Sequence, residues 1–335
     1  FSISKNITNL LVFENSIIFS DDRGTIYSIN QNGKINWKKN IYQKIYKRVY
    51  KNLTFSIYQN NIYVVDNIGF IYAVALDSGK LIWIKNHGIP LRSNIKIFKN
   101  KIFVINQDNR LLCLDSKNGS KIWDIRSISS FIKSQNFLSI AVSKEGSVIA
   151  INSSGDLFKA NSENGSIYWS LNTAASMLVD ATDFFKSSKI VVDNKNIFIS
   201  AGSSFFSYNL QNGAVNWKKK LISEGAPIVV GKNIFLVTDN GYFVIIDKNS
   251  GEIISSNYIL KILKKKKRLT KVTGYIMGSG KLFAVTSNGY LITNSAISGK
   301  AETFRKIGDP ITVPPVISNG NLYILTENSK IIGFN

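Results

Sequence analysis

Cysteine and histidine are almost absent from this chain of 335 residues, which contains one of each, Cys113 and His87. A single cysteine cannot form an intramolecular disulfide, so cysteine usage does not decide between a reducing and an oxidising compartment. Cys113 stands in an apolar run and is predicted to be a buried small side chain. A single histidine excludes multi-histidine metal sites, and His87 has no nucleophile-elbow motif to serve. We therefore predict no catalytic residue, no metal and no cofactor.

Long apolar runs and acidic residues are also scarce. No run approaches the roughly 18 apolar residues of a membrane span. The 42 basic residues outnumber the 21 acidic ones, for a net charge of +21. Lysine, asparagine and isoleucine are abundant throughout, so we interpret the charge as a solvated surface that attracts acidic partners or anionic lipids, and we predict no nucleic-acid partner. Because the chain begins at Phe1, we expect any signal peptide or lipidated cysteine to lie upstream.

What the sequence does contain is a repeat, an Asn-Gly or Ser-Gly turn that recurs every 38 to 48 residues. Its glycines are Gly33, Gly79, Gly119, Gly165, Gly213, Gly251 and Gly299. Tryptophan follows the first five of them at an offset of four, at Trp37, Trp83, Trp123, Trp169 and Trp217. Ser255 and Thr303 hold this position in the last two repeats. The period is typical of four-stranded propeller blades, and we predict that the tryptophans fill the wedges between them.

The first blade can be read in full, with strands over residues 10–13, 17–20, 25–30 and 35–38. Seven similar blades follow, and the last one ends after its third strand. The alternating segment 1–4 has no blade of its own and is predicted to supply the missing strand. The sequence thus predicts an all-β chain, one domain over 1–335. Its fold is an eight-bladed β-propeller of four-stranded antiparallel blades, closed by the N-terminal strand in the last blade.

The long linkers between blades all lie on one face of such a fold, which we predict to be the binding face. Linker 41–52 alternates tyrosines with basic residues, which suits either a contact surface or a short helical turn packed on the propeller. Linker 258–271 carries five consecutive basic residues, 264–268, and suits either a solvated loop or contact with an anionic lipid or acidic partner. Linker 129–136 places Phe131, Ile132 and Lys133 in a polar context. That cluster is either a binding hot spot or a buried plug.

The Gly-to-Trp repeat resembles that of the quinoprotein-like propellers. Within that group the chain is similar to the BamB family, the lipoproteins of outer-membrane β-barrel assembly. The similarity is best at residues 227–231, 241–242, 289–291 and 315–322. It implies a non-catalytic scaffold of the BAM complex, tethered to the periplasmic face of the outer membrane by an upstream lipid anchor. The implied partner is the set of periplasmic domains of the barrel insertase BamA, bound by a monomer within the complex.

The family resemblance also implies contact residues. The family's contact loop between the third and fourth blades matches Ile132 and Lys133 here, beside Phe131. The next linker is acidic in the family and matches only at Asp180 and Asp183. Two alternatives stay open: a quinone-dependent dehydrogenase, whose adjacent cysteines this chain lacks, and a propeller adaptor outside barrel assembly.

Overall fold

A computed structural model describes residues 6–126, 137–173, 186–223, 225–267 and 269–334. The chain forms two compact units, one of Phe1–Tyr50 with Pro227–Asn335 (unit 1) and one of Lys51–Ala226 (unit 2). The fold is an eight-bladed β-propeller, as the repeat predicts, with four blades in each unit. That the whole chain is one domain stays a prediction.

Each blade is an antiparallel meander whose strands follow in chain order. Blade 1 has β1 (Ile7–Phe13), β2 (Ser16–Asp21), β3 (Thr25–Asn30) and β4 (Ile35–Asn40). Blade 2 has β5 (Leu53–Tyr58), β6 (Asn61–Asp66), β7 (Phe70–Ala75) and β8 (Leu81–Asn86). Blade 3 has β9 (Lys96–Phe98), β10 (Lys101–Ile105), β11 (Arg110–Asp115) and β12 (Lys121–Arg126). Blade 4 has β13 (Ile140–Val142), β14 (Ser147–Ile151), β15 (Asp156–Asn161) and β16 (Ile167–Asn172).

The remaining blades follow the same pattern. Blade 5 has β17 (Val191–Asp193), β18 (Asn196–Ala201), β19 (Ser204–Asn209) and β20 (Val215–Lys219). Blade 6 has β21 (Ile228–Val230), β22 (Asn233–Val237), β23 (Tyr242–Asp247) and β24 (Ile253–Tyr258). Blade 7 has β25 (Val272–Gly278), β26 (Lys281–Thr286), β27 (Tyr290–Ser295) and β28 (Ala301–Lys306). Blade 8 has β29 (Val316–Ser318), β30 (Asn321–Leu325) and β31 (Ile331–Phe334). The described helices are 3₁₀ turns at Lys44–Tyr46 and Ile259–Lys267.

The hydrophobic core lies between blades, because each sheet packs one face on the next. In unit 2, Tyr63 and Ile71 of blade 2 share a cluster with Ile102 and Leu112 of blade 3. Equivalent clusters join blades 3 and 4, blades 4 and 5 and, in unit 1, blades 6, 7, 8 and 1 in turn. The second and third strands are therefore buried on both faces, whereas the fourth strands are mostly exposed.

Three repeated tryptophans of unit 2, Trp83, Trp123 and Trp169, lie at these blade interfaces. The Trp83 ring lies against Gly119 of the next blade, where a Cβ atom would come within 2.4 Å of Trp83 Cζ3. Trp83 Nε1 also donates a 2.9 Å hydrogen bond to the carbonyl of Ser116, which belongs to blade 3 like Gly119. Trp123 meets Gly165 and Trp169 meets Gly213 in the same way. Each glycine also has a positive φ, so both the turn and the ring require it.

The turns between second and third strands share a buried capping residue. Asp66 Oδ1 accepts hydrogen bonds from the backbone N–H groups of Ile68 at 3.0 Å and Phe70 at 2.8 Å. The same position caps the turn in other blades, at Asp21, Asn106, Asn152, Thr238 and Thr286. These side chains fix the turn because they satisfy backbone N–H groups that have no partner in the strand ladder.

We expect Asp66→Ala to lower the free energy of unfolding by about 3 kcal/mol, because it leaves two backbone N–H groups without their acceptor in a buried turn. Chemical denaturation measures the loss. Asp77→Ala is the matched control, since Asp77 is exposed in a turn of the same blade. Equal losses in the two variants would contradict the capping role.

The closing strand of blade 8 is a prediction that falls on residues 1–4, outside the described residues. In the described part of the chain, blade 8 has three strands, and β1 of blade 1 contacts β29. If segment 1–4 pairs with β31, one of the variants Ser2→Pro and Ile3→Pro should lose about 2 kcal/mol and the other less, because successive N–H groups of a strand point in opposite directions. Two variants that both unfold like the parent protein would refute the pairing.

Candidate functional site

The antiparallel meander places the linkers between blades at the same sheet end as the turns between second and third strands. This follows from the strand order within each sheet, and the linkers therefore lie on the face where the sequence predicts them. The contact residues predicted there are Phe131, Ile132, Lys133, Asp180 and Asp183. All five lie outside the described residues. The structure instead describes the residues that flank them.

The first contact segment, 127–136, is followed by residues 137–139, which lead into β13 and which we call its root. The Leu138 N–H donates to the Arg92 carbonyl at 2.6 Å, and Leu138 forms a parallel bridge with Ser93. Asn94 reinforces this attachment with two hydrogen bonds to the backbone of Ile140, of 2.9 and 3.0 Å. The root of this segment is therefore fixed to the preceding blade.

The second contact segment, 174–185, is followed by its own root, residues 186–190, which contacts the first root and leads into β17. The backbone N–H of Ile190 donates to Ser139 Oγ at 2.8 Å, across 51 residues of sequence. Ser188 is buried and exchanges hydrogen bonds with the backbone of Ser200, at 2.8 and 2.9 Å. The residues directly before β13 and β17 are therefore joined by a hydrogen bond, and the two contact segments precede them in the sequence.

The side chains around the two roots are cationic and apolar. Phe137 is 48% exposed directly after the first segment, and Arg126 is exposed directly before it. Arg92 Nε is buried and makes no hydrogen bond among the described residues. Lys186 follows the second segment and is exposed. Such a surface suits an acidic or carbonyl-rich partner edge, because an apolar centre excludes water while cations select the partner's charge.

Linker 41–52 combines the two interpretations of its sequence. Tyr42 and Tyr46 are half-buried around the 3₁₀ turn, as expected for a helical turn that packs on the propeller. Tyr50, however, is 56% exposed, and Ile45 is 78% exposed. A basic cavity of about 690 Å³ lies beside them, lined by Arg23, Asn40, Tyr42, Lys44, Lys47 and Arg48. This linker therefore carries a second cationic surface, whose cavity residues belong to unit 1.

Linker 258–271 is anchored in the core of unit 1. Ile259, Leu260 and Leu263 are buried against blades 6 and 7. Beyond them the chain turns at Lys264, whose φ is +52°, and Leu269 is 89% exposed. The first part of this linker therefore packs in the core and is not a solvated loop.

The chemistry of the described residues offers little for a metal or redox centre. Cys113 is buried, and burial raises the pKa of its thiol to about 12. No group of three or more metal-binding side chains occurs among the described residues. Burial lowers the pKa of His87, a hydrogen bond with the backbone of Gly119 partly opposes this, and the charges of Lys121 and Lys85 lower the pKa further. No helix in the described ranges is long and apolar enough to cross a membrane.

Comparison with known proteins places this architecture among relatives. The family model for the outer membrane protein assembly factor BamB matches residues 22–257. The BamB of Moranella endobia is 20% identical over 338 residues, covering 84% of each chain. The BamB of Yersinia pestis is 21% identical over 266 residues, which cover 71% of this chain and 62% of that protein.

Solved structures share the fold. The BamB crystal structure from Moraxella catarrhalis has a TM-score of 0.80 at 12% identity and covers 99% of this chain and 98% of its own. A europium-containing methanol dehydrogenase has a TM-score of 0.70 at 11% identity, with 99% and 83% covered. At these identities the likeness concerns the fold alone.

Proposed function

The chain belongs to the family of the outer membrane protein assembly factor BamB, and from this we propose that it is a non-catalytic scaffold of the outer-membrane protein assembly complex. In this proposal it binds the periplasmic domains of the barrel insertase BamA and aids the insertion of β-barrel proteins. It acts at the periplasmic face of the outer membrane, as a monomer within the complex. Cell fractionation followed by protease protection tests this location.

The observation that carries the binding proposal is the joined pair of loop roots on unit 2. The Ile190–Ser139 hydrogen bond joins the residues just before β13 and β17. The segments with the proposed contact residues, Ile132 with Lys133 and Asp180 with Asp183, lead into these two strands in the sequence. Two segments that lead into strands joined in this way can present a single composite surface, because the hydrogen bond limits how far their attachment points separate. Exposed Phe137 and the cations around the roots extend this surface.

Titration of the purified chain with the isolated periplasmic domains of the insertase tests this function. We expect a saturable one-to-one complex with a dissociation constant of about 1 µM or tighter, the range of specific interfaces of standard size. The isolated transmembrane barrel of the insertase, held in detergent, is the negative control. Absence of binding at roughly 100-fold higher concentration would overturn the proposal.

A dehydrogenase function has less support from the chain itself. The quinone enzymes to which the repeat is similar use adjacent cysteines, and here the sole cysteine is Cys113, buried among Phe103, Leu111 and Ala150 between blades 3 and 4. Dye-linked oxidation of alcohols after addition of pyrroloquinoline quinone and calcium would favour the enzyme instead.

A further inference from the structure

A cavity lies along the inner strands of three neighbouring blades in unit 2. The first strands of these blades pack side by side, β9 against β13 and β13 against β17. The cavity measures about 410 Å³ and is lined by residues 96–98, 141–144 and 190–192. This volume falls in the usual range for small-molecule sites. The described lining residues belong to the first strands, to the turn after β13 and to the residue before β17.

The charge of this cavity is uncompensated. Lys96 and Lys144 line it, and no aspartate or glutamate does so among the described residues. Burial, and then the charge of nearby Lys189, lower the pKa of the Lys96 ammonium, and burial also lowers the pKa of Lys189. Within the described ranges, the side chains of Lys96, Lys144 and Lys189 make no ion pair and no hydrogen bond. All three side chains still reach solvent, so their charges are open to an incoming ligand, and an anion would compensate them.

The rest of the lining is apolar and partly accessible. Ile97, Val142 and Val191 are half-buried, so part of each side chain faces open space. Phe98 is held in place by Gly146, where a Cβ atom would come within 2.4 Å of Phe98 Cε1. Cations beside a preformed apolar wall match a ligand that has both a negative headgroup and an apolar body.

We propose that this cavity binds a small amphipathic anion, with a phosphate or carboxylate headgroup at Lys96 and Lys144 and a short apolar body against Ile97, Val142 and Val191. Lys189 supplies further positive potential to the headgroup. Binding here does not depend on the proposed assembly function, because the site uses inner-strand residues and a different ligand.

Calorimetric titration with three probes tests the proposal: octyl phosphate, inorganic phosphate and octanol. Octyl phosphate should bind roughly tenfold or more tightly than either of the others, because only it satisfies the cations and the apolar wall together. Lys96→Gln should weaken octyl phosphate roughly tenfold, the loss of one charge-assisted contact. Lys195→Gln is the matched control, since Lys195 is an exposed lysine in the turn after β17 that does not line the cavity.

Thermal unfolding separates binding from folding in these variants. Lys96→Gln removes an exposed charge that Lys189 repels, so its melting temperature should equal or slightly exceed that of the parent protein. Inorganic phosphate that binds as tightly as octyl phosphate would overturn the amphipathic ligand. Lys96→Gln that folds normally and binds octyl phosphate like the parent would overturn the site. Neither result would bear on binding of the insertase domains.

Discussion

Replacing Trp83 with alanine should lower the free energy of unfolding by about 3 kcal/mol. The ring fills the interface between blades 2 and 3, and its removal combines lost burial with a cavity that a close-packed propeller closes poorly. The variant also loses the 2.9 Å hydrogen bond from the indole N–H to the Ser116 carbonyl. Urea denaturation followed by circular dichroism measures the change, and Ile82→Ala is the control. Ile82 is 47% exposed on the same strand, so its loss should stay below about 1 kcal/mol.

The partner of this ring supplies an internal check. Gly119→Ala places a Cβ atom 2.4 Å from Trp83 Cζ3 and forces alanine to a φ of +71°. In the parent background both effects act, and we expect a loss of about 3 kcal/mol. In the Trp83→Ala background the clash is gone and only the backbone cost of about 1 kcal/mol should remain. Losses that simply add in the double variant would contradict direct packing of the ring on the glycine.

The blade architecture could be predicted because each strand is specified by a local sequence pattern. The strands predicted at 25–30 and 35–38 are observed at Thr25–Asn30 and Ile35–Asn40, since alternation and the Asn-Gly turn act over a few residues. Gly119 and Trp83 could be predicted in the same way, because a repeat shows which positions recur. The capping residue at Asp66 could not, since its equivalents are Asn106 in blade 3 and Thr238 in blade 6. Different side chains perform one function there, so no letter repeats.

The candidate site was less predictable, because its geometry depends on contacts between distant parts of the chain. The hydrogen bond from Ile190 to Ser139 spans 51 residues, and nothing near either residue in the sequence points to the other. Similarly, the sequence does not distinguish Lys96 and Lys189 from the other lysines, and only the fold places Lys189 near enough to lower the pKa of Lys96. The linker at 258–271 shows the same limit, since burial of Leu263 depends on which blades it meets.

The contact loops give the prediction with the largest functional effect. We expect the double variant Ile132→Ala, Lys133→Glu to weaken binding of the insertase's periplasmic domains by about 2–4 kcal/mol, or roughly 30- to 700-fold in dissociation constant. The alanine removes an apolar anchor. The glutamate replaces a cation that selects an acidic or carbonyl-rich edge with a charge that the same edge repels. Isothermal titration measures the loss, and stability should change by less than about 1 kcal/mol if the linker serves binding.

A matched variant on the other cationic linker decides whether the effect is specific. Ile45→Ala, Lys44→Glu makes the same pair of changes on linker 41–52, at residues that are exposed in unit 1. If net charge alone drove association, both double variants would weaken binding equally, because each lowers the charge by two. If the joined roots at Ser139 and Ile190 build the contact surface, only the variant at 132 and 133 should lose affinity beyond a few-fold. Retained binding with normal unfolding would reject Ile132 and Lys133 as contact residues. Lost binding with a sharply lower melting temperature would show that Ile132 packs as a plug in the fold.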